Sequence, residues 1–224
     1  MENCWASKYC KQYQQVSCNQ FCAGYVVLEI LYHYSNIPKK YQYPVDLKVS
    51  PPDKETYQYI SEILKGDIIS WVNKGRNLFL WGQAKGTGKT TVACQIASKF
   101  IREMASKTNL EPVVHFIKSA RFLEEIRQQF NAPTIEFPER LKTIETVPLL
   151  IIDDIGAEKP SDWVKERLLN IIDERYSNNR SIIYTSNCSL SEIMERLGDR
   201  IYDRIKDSKA LEFKSASFRG LNND

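Results

Sequence analysis

The segment "LFLWGQAKGTGKTTVACQIASKF", residues 78–100, constrains the fold more than any other part of the 224-residue chain. A short apolar run is followed by a glycine-rich stretch and then by a long helix-like stretch. Such a turn between a strand and a helix directs backbone N–H groups and the positive end of the helix towards a phosphate. The segment therefore predicts a phosphate-binding loop within an α/β fold.

The glycine spacing of this loop departs from the usual G-x-x-x-x-G-K-[ST] pattern. Gly82 lies one residue further from Gly88 than that pattern requires. We interpret the difference as one extra residue in the outer bend, among residues 83–85. The stretch 86–91 keeps its spacing, so a working nucleotide site is expected.

The lysine and threonine that follow the glycines are the expected phosphate and metal ligands. Lys89 is expected to reach the β- and γ-phosphates of a nucleotide, and the Thr90 hydroxyl is expected to bind Mg²⁺. A glycine-rich turn with a surface lysine is the alternative. The predicted nucleotide-binding residues are Lys85, Gly86, Thr87, Gly88, Lys89, Thr90 and Thr91.

Two acidic residues follow the apolar run in "LLIIDDIGAE", residues 149–158. Asp153 is expected to hold Mg²⁺ together with Thr90. Asp154 is expected to polarise the attacking water, with a turn or helix-cap role as the alternative. Asn187 ends the strand-like "SIIYTSN", where a polar side chain can hold that water or form an ordinary turn.

Strand-like and helix-like segments alternate from about residue 55 to the end, which predicts an α/β domain with a mainly parallel sheet. The predicted strands are 77–81, 112–118, 147–153, 181–187 and 210–214, and the predicted helices are 90–105, 119–130, 161–178 and 189–205, the last broken near Gly198. Residues 36–54 contain four prolines and are predicted to be a linker. Residues 1–35 precede it as a cysteine-rich module, and residues 55–224 form the α/β domain.

Four of the six cysteines lie within the first 22 residues, at Cys4, Cys10, Cys18 and Cys22. Four thiolates can complete a tetrahedral Zn²⁺ shell, which would supply the folding energy of a small module. His33 could replace one of them, and free or partly buried thiols are the alternative. Clustered thiols favour metal binding over disulfides in a cytosolic chain.

The sequence gives no sign of membrane insertion or export. No apolar stretch approaches the roughly 18 residues of a membrane span, and the N-terminus lacks the apolar region of a secretory signal. A cytoplasmic location is therefore expected. The net charge of +3 does not by itself indicate nucleic-acid binding.

Residues 149–205 resemble the AAA+ ATPase core of bacterial and phage replicative-helicase loaders, the DnaC/DnaI type. The D-D-I-G-A-E block, the D-W helix after it, the T-S-N strand end and the E-R-L-G-D-R-I-x-D-R-I helix carry the resemblance. It extends over about residues 75–220. Transposition ATPases of the IstB type share much of this pattern.

The resemblance implies further site residues. Asn187 matches the sensor-1 position, and Arg219 in "SASFRG" resembles the sensor-2 arginine. Arg204 matches the arginine finger that reaches the nucleotide of a neighbouring subunit, with Arg200 as the alternative. Asp154 stands where most AAA+ proteins have a glutamate, so slow hydrolysis is expected.

The resemblance also implies a function, with ATP and Mg²⁺ as cofactors and Zn²⁺ in an N-terminal helicase-docking module. The expected partners are a hexameric replicative DNA helicase, single-stranded DNA and other copies of the chain. ATP binding would assemble the subunits, and hydrolysis would release them. The alternatives are a transposition-helper ATPase and a nucleotide-binding helicase adaptor with little turnover. Lys118 and Arg121, with Phe122 for base stacking, are candidates for DNA contacts.

Overall fold

A computed structural model describes residues 4, 14–15, 18–19, 21–47, 49–157 and 160–218. Within these ranges the chain forms a parallel sheet of five strands with helices on both faces. The helices are α1 (Ala23–Ser35), α2 (Lys54–Lys65), α3 (Ile68–Asn73), α4 (Lys89–Met104), α5 (Ser119–Asn131), α6 (Glu136–Thr146), α7 (Asp162–Ser177), α8 (Leu190–Leu197) and α9 (Asp199–Lys206). The strands are β1 (Leu78–Trp81), β2 (Val114–Lys118), β3 (Leu149–Asp153), β4 (Ser181–Ser186) and β5 (Lys209–Glu212).

The strand order in the sheet is β2-β3-β4-β1-β5, and all neighbouring strands run parallel. Strands β3 and β4 are buried along their whole length, as expected for apolar runs covered on both faces. Because the strands are parallel, the loops that follow them meet at one edge of the sheet. Ligands bind at this carboxyl edge in open α/β sheets.

The side chains of the central strands alternate between two hydrophobic cores. Along β3, Leu149 and Ile151 belong to the core shared with α1, α2, α3 and α4. Leu150 and Ile152 belong to the core on the opposite face, with α5, α7, α8 and α9. This period of two is the ordinary geometry of a strand and fixes which face each side chain occupies.

The predicted strands and helices of the α/β domain are confirmed, with boundaries that differ by a few residues. The predicted break at Gly198 separates α8 from α9, where this glycine has a φ of 91°. Ser161 occupies the N-cap position of α7 but makes no side-chain capping hydrogen bond. Helices α2, α3 and α6 were not among the predicted elements.

The segments before the α/β domain pack onto it. Leu28, Leu31 and Tyr32 of α1 lie in the same core as β1 and α4. The amide group of Gln95 in α4 donates hydrogen bonds to the backbone carbonyls of residues 41 and 43, at 3.5 and 3.0 Å. The predicted linker therefore lies against the phosphate-loop helix. The predicted division of the chain after residues 35 and 54 stays a prediction.

Among the residues that the structure describes, no helix has the length and apolar character needed to span a membrane.

Candidate nucleotide-binding site

A cavity of about 760 Å³ opens at the carboxyl edge of the sheet. The predicted phosphate loop, residues 85–91, forms one wall, and Asp153, Asp154 and Asn187 line another. Part of the segment 38–47 completes the cavity. The fold thus brings together residues that the sequence separates by about one hundred positions.

Gly82 lies directly after β1, at the start of the phosphate loop. Its N–H donates to the carbonyl of Ser186 at 3.2 Å, which extends the pairing of β1 with β4. A Cβ at this position would lie 2.2 Å from the carbonyl oxygen of Phe213, so only glycine fits. Residues 83–85 separate Gly82 from Gly86, and the interpretation of one extra residue among them stays a prediction.

Two glycines give the inner part of the loop its shape. Gly86 and Gly88 have φ values of 79° and 95°, in the left-handed region that favours glycine. Helix α4 starts directly after Gly88, so its N-terminus points into the cavity. This geometry is suited to phosphate binding because the first backbone N–H groups of a helix have no partner within it.

Lys89 lies inside the loop and is almost completely buried. Its ammonium group donates to the carbonyls of Gly82 and Ala84, both at 2.8 Å, and to the hydroxyl of Thr87 at 3.2 Å. Burial lowers the pKa of Lys89, while the carboxylates across the cavity act in the opposite direction. The ammonium is thus held at the place where the phosphate groups of a nucleotide would bind.

Thr90 and Asp153, the residues expected to bind Mg²⁺, are hydrogen-bonded to each other. The Thr90 hydroxyl donates to Oδ1 of Asp153 at 2.7 Å, and the Thr185 hydroxyl donates to the same oxygen at 2.7 Å. Burial raises the pKa of Asp153, and these two hydrogen bonds oppose that shift. Hydroxyl and carboxylate oxygens are ligands that Mg²⁺ accepts. Thr90 and Asp153 therefore fit a Mg²⁺ ion.

Asp154 adopts a backbone conformation that explains its identity. Its φ is 59°, in the left-handed region, where aspartate and asparagine are tolerated better than glutamate. Its N–H donates to the Thr185 hydroxyl at 2.9 Å, and its Oδ1 accepts from the Asn187 amide at 2.7 Å. The carboxylate and the amide are thus fixed side by side in the cavity wall, where they could orient and deprotonate a water molecule.

Arg204 and Arg200 do not line the cavity. Nε of Arg204 donates to Oδ1 of Asp173 in α7 at 2.6 Å, and its guanidinium lies 4.6 Å from the centre of the Tyr176 ring. Nη2 of Arg200 is 3.9 Å from the other oxygen of Asp173. Both arginines therefore share one carboxylate on the surface instead of reaching the site of their own subunit.

Two predicted site residues, Arg219 and Cys10, lie outside the described residues. The residue before Arg219 contacts the phosphate loop, because the N–H of Phe218 donates to the carbonyl of Gly86 at 3.0 Å. The chain that follows β5 therefore returns to the cavity.

The described cysteines of the N-terminal cluster are free thiols. Cys4 is buried, and Cys18 and Cys22 are half-buried. Among the residues described, no group of three or more histidine, cysteine, aspartate or glutamate side chains is arranged to hold a metal. The predicted zinc site stays a prediction.

Several cavity residues were not predicted as nucleotide ligands. Lys118 ends β2 opposite Asp153 and lines the cavity, although it was a candidate for DNA contacts. Its position at the carboxyl end of a parallel strand, where ligands bind in open α/β sheets, could have identified it. Tyr57 and Lys40 also line the cavity, and no sequence motif marks them. The prediction that Phe122 stacks on bases is wrong, because this side chain is 1% exposed in the second core.

The chain is similar to known ATP-binding proteins. The family model described as IstB-like ATP binding protein matches residues 58–223. The replicative helicase loader DnaI of Bacillus subtilis is 29% identical over 147 residues, which are 65% of this chain and 43% of DnaI. A putative insertion sequence ATP-binding protein of Sinorhizobium fredii is 27% identical over 184 residues, which are 80% of this chain and 68% of that protein.

A crystal structure of the DnaC helicase loader matches this structure with a TM-score of 0.60 and 23% identity, over 79% of this chain and 100% of that one. This likeness shows the predicted AAA+ fold with its parallel sheet. The family model extends over most of the chain and includes the phosphate loop, Asp153, Asp154 and Asn187. The chain therefore belongs to the family of IstB-like ATP-binding proteins.

Proposed function

We propose that this chain is a cytoplasmic, ATP-dependent loader of a hexameric replicative helicase onto single-stranded DNA. The observation that carries the proposal is the single cavity that joins the phosphate loop to Asp153, Asp154 and Asn187. The similarity to a protein named as a replicative helicase loader supports the choice of partner. ATP binding assembles the subunits, and hydrolysis releases them.

Five residues of the cavity have chemical roles in this proposal. Lys89 exchanges its loop oxygens for phosphate oxygens of ATP. Thr90 and Asp153 hold Mg²⁺, which when bound neutralises charge on the phosphates. Asp154 accepts the proton of the attacking water, and Asn187 orients that water.

Arg204 is proposed to act in the site of a neighbouring subunit. Its position outside the cavity of its own subunit, and its partly exposed side chain, support this assignment. A guanidinium supplied from a neighbour couples hydrolysis to assembly because it stabilises charge on the transferred phosphoryl group. Arg219 is proposed to act in cis, supported by the contact of Phe218 with Gly86.

Binding to candidate hexameric helicases tests the proposal. The purified chain is mixed with each helicase, with and without ATP, and the mass of the complex is measured by light scattering. A complex that forms with ATP and is lost in Lys89→Ala supports the loader. If no replicative helicase binds under either condition, the loader assignment is wrong.

A transposition-helper ATPase is the second candidate. The family model and the match to the insertion sequence protein support it, because that match extends over larger shares of both chains than the match to DnaI. Such a helper is expected to form filaments on duplex DNA, which electron microscopy detects. A third candidate is an adaptor that binds nucleotide and hydrolyses little ATP. Phosphate release, measured with and without single-stranded DNA, distinguishes this adaptor from the two ATPases.

We also propose that Cys4, Cys10, Cys18 and Cys22 hold one zinc ion in a module that docks on the helicase. The support is the sequence spacing and the resemblance to loaders alone. Metal analysis of the purified chain is expected to give about one zinc per chain. Zinc far below this value refutes the site without affecting the nucleotide assignment.

A further inference from the structure

Asp53 occupies the N-cap position of α2 but does not cap that helix. An aspartate at this position ordinarily accepts a hydrogen bond from a backbone N–H of the first helical turn. The carboxylate of Asp53 makes no such bond, although the residue is only 1% exposed. Its Oδ1 instead accepts from the N–H groups of Lys214 and Ser215, at 2.6 and 3.2 Å. The carboxylate therefore binds a segment 161 positions further along the chain.

The first turn of α2 makes two more contacts with the same part of the chain. The Thr56 hydroxyl donates to the carbonyl of Glu212 at 2.8 Å. The ring of Tyr57 packs edge-on against the ring of Phe213, with 5.8 Å between their centres. The start of α2 thus contacts the end of β5 and the residues that follow it. We call residues 213–218 the C-terminal segment.

The C-terminal segment contacts the phosphate loop at both of its ends. At its start, the carbonyl oxygen of Phe213 approaches Gly82 so closely that no other residue fits there. At its end, the N–H of Phe218 donates to the carbonyl of Gly86 at 3.0 Å. A displacement of this segment would therefore remove neighbours from both sides of the loop.

The environment of Asp53 argues against a role limited to stability. Its second oxygen, Oδ2, is buried and has no hydrogen-bond partner among the described residues. A buried carboxylate with an unsatisfied oxygen is unfavourable, so a neutral residue would serve a purely structural position better. Burial and the charge of Asp53 raise the pKa of Tyr57, which also lines the nucleotide cavity, to about 12.

We propose that Asp53 is a positioning residue for the nucleotide site, which holds the C-terminal segment against the phosphate loop and thereby sets the affinity for nucleotide. The inference rests on the proposed ATP site. Asp53 touches no nucleotide itself and acts through Lys214 and Ser215.

Hydrogen exchange of the full-length chain tests the coupling without any nucleotide. Asp53→Ala removes the hydrogen-bond acceptor. Asp53→Ser has a side chain too short to accept from Lys214 and Ser215, but it can still cap α2. Both variants are expected to raise exchange about tenfold in residues 213–218 and also in residues 83–88. Asp67→Ala is the matched control, because Asp67 caps α3 by accepting from the Ser70 N–H at 2.9 Å. Unchanged exchange in residues 83–88 of a folded Asp53 variant overturns the proposal.

Binding of a fluorescent ATP analogue gives the second measurement. Asp53→Ala and Asp53→Ser are expected to raise Kd about tenfold, the effect of losing one charge-assisted hydrogen-bond pair. Asp53→Asn keeps an oxygen at the same place but loses its charge, so its Kd is expected to rise by about threefold, less than in Asp53→Ala. Equal affinity in all Asp53 variants contradicts the proposal while leaving the ATP site intact. If the wild type itself binds no analogue, the proposed function fails, and the exchange result still decides the role of Asp53.

Discussion

Substitution of Asp154 by asparagine removes the negative charge of the side chain and keeps its size and backbone conformation. Asparagine tolerates the left-handed φ of 59°, and its side-chain oxygen can still accept from the Asn187 amide. The variant therefore loses the proton acceptor and little else. Steady-state phosphate release is expected to fall by about 10²- to 10⁴-fold, the usual contribution of a general base. This corresponds to roughly 3–5 kcal/mol of transition-state stabilisation.

Substitution by glutamate tests the conformational reason for the aspartate. The left-handed region costs an ordinary side chain about 1 kcal/mol, so Tm should fall by roughly 2–4 °C for a chain of this size. Asp154→Glu is expected to hydrolyse ATP no faster than the wild type, because the longer side chain must distort a turn fixed by the Thr185 hydroxyl.

Phosphate release at saturating ATP and Mg²⁺, binding of a fluorescent ATP analogue and Tm are measured on the same preparations. Asp162→Asn is the matched control, since this aspartate is fully exposed at the start of α7. Analogue binding by Asp154→Asn should equal or slightly exceed that of the wild type, because a negative charge next to the phosphates is removed. An unchanged rate of phosphate release in this variant would refute the role of Asp154 as the base.

Three other features of the structure give further expectations. Gly82→Ala is expected to lower the free energy of unfolding, measured by urea titration, by about 1–3 kcal/mol, because the new Cβ would lie 2.2 Å from the carbonyl oxygen of Phe213. An unchanged free energy of unfolding would show that the loop can shift. Arg175 is fully buried and donates to four backbone carbonyls, two in the last turn of α6, one before β3 and one at the start of β4. Arg175→Lys should therefore lower the free energy of unfolding by about 3 kcal/mol, which lowers Tm and leaves the affinity for the ATP analogue unchanged. Burial raises the pKa of Asp153, so protonation should weaken Mg²⁺-dependent binding of the ATP analogue at a pH above the titration range of an ordinary aspartate. Binding of the analogue that does not change with pH in the mildly acidic range would contradict the assignment of Asp153.

The position of the phosphate loop and the proximity of Thr90 to Asp153 could be predicted because these residues lie in short contiguous patterns. Lys89 and Thr90 follow the glycines directly, and Asp153 ends an apolar run. Parallel strands bring such strand ends to one edge of the sheet. Local sequence and the general geometry of the sheet were therefore sufficient for these residues.

Contacts that depend on packing between distant segments could not be predicted. The proline-rich stretch 36–54 has the composition of a linker, but part of it lines the cavity and accepts hydrogen bonds from Gln95 of α4. The role of Asp53 depends on a segment 161 residues away. The left-handed backbone of Asp154 and its hydrogen bond to Thr185 are likewise not visible in the sequence spacing.

Helices α3 and α6 show why some elements escaped sequence reasoning. Helix α3 has only six residues, too few for a clear helical period. Helix α6 contains Pro138 in its first turn and buries only Ile144 among its residues. Both helices are stabilised by their neighbours in the fold more than by their own sequence pattern.

The contacts of the Lys89 ammonium have a consequence for the choice of ligand. Its three oxygen partners are neutral, two carbonyls and one hydroxyl. A ligand that enters the loop must compete with them, and it gains only the difference between charged and neutral acceptors. A triphosphate offers several charged oxygens at once, whereas a monophosphate offers few. The loop therefore favours ligands that carry more negative charges. The side chain of Lys89 is already held in place by the loop oxygens, so it loses little conformational freedom when phosphate oxygens of ATP replace them.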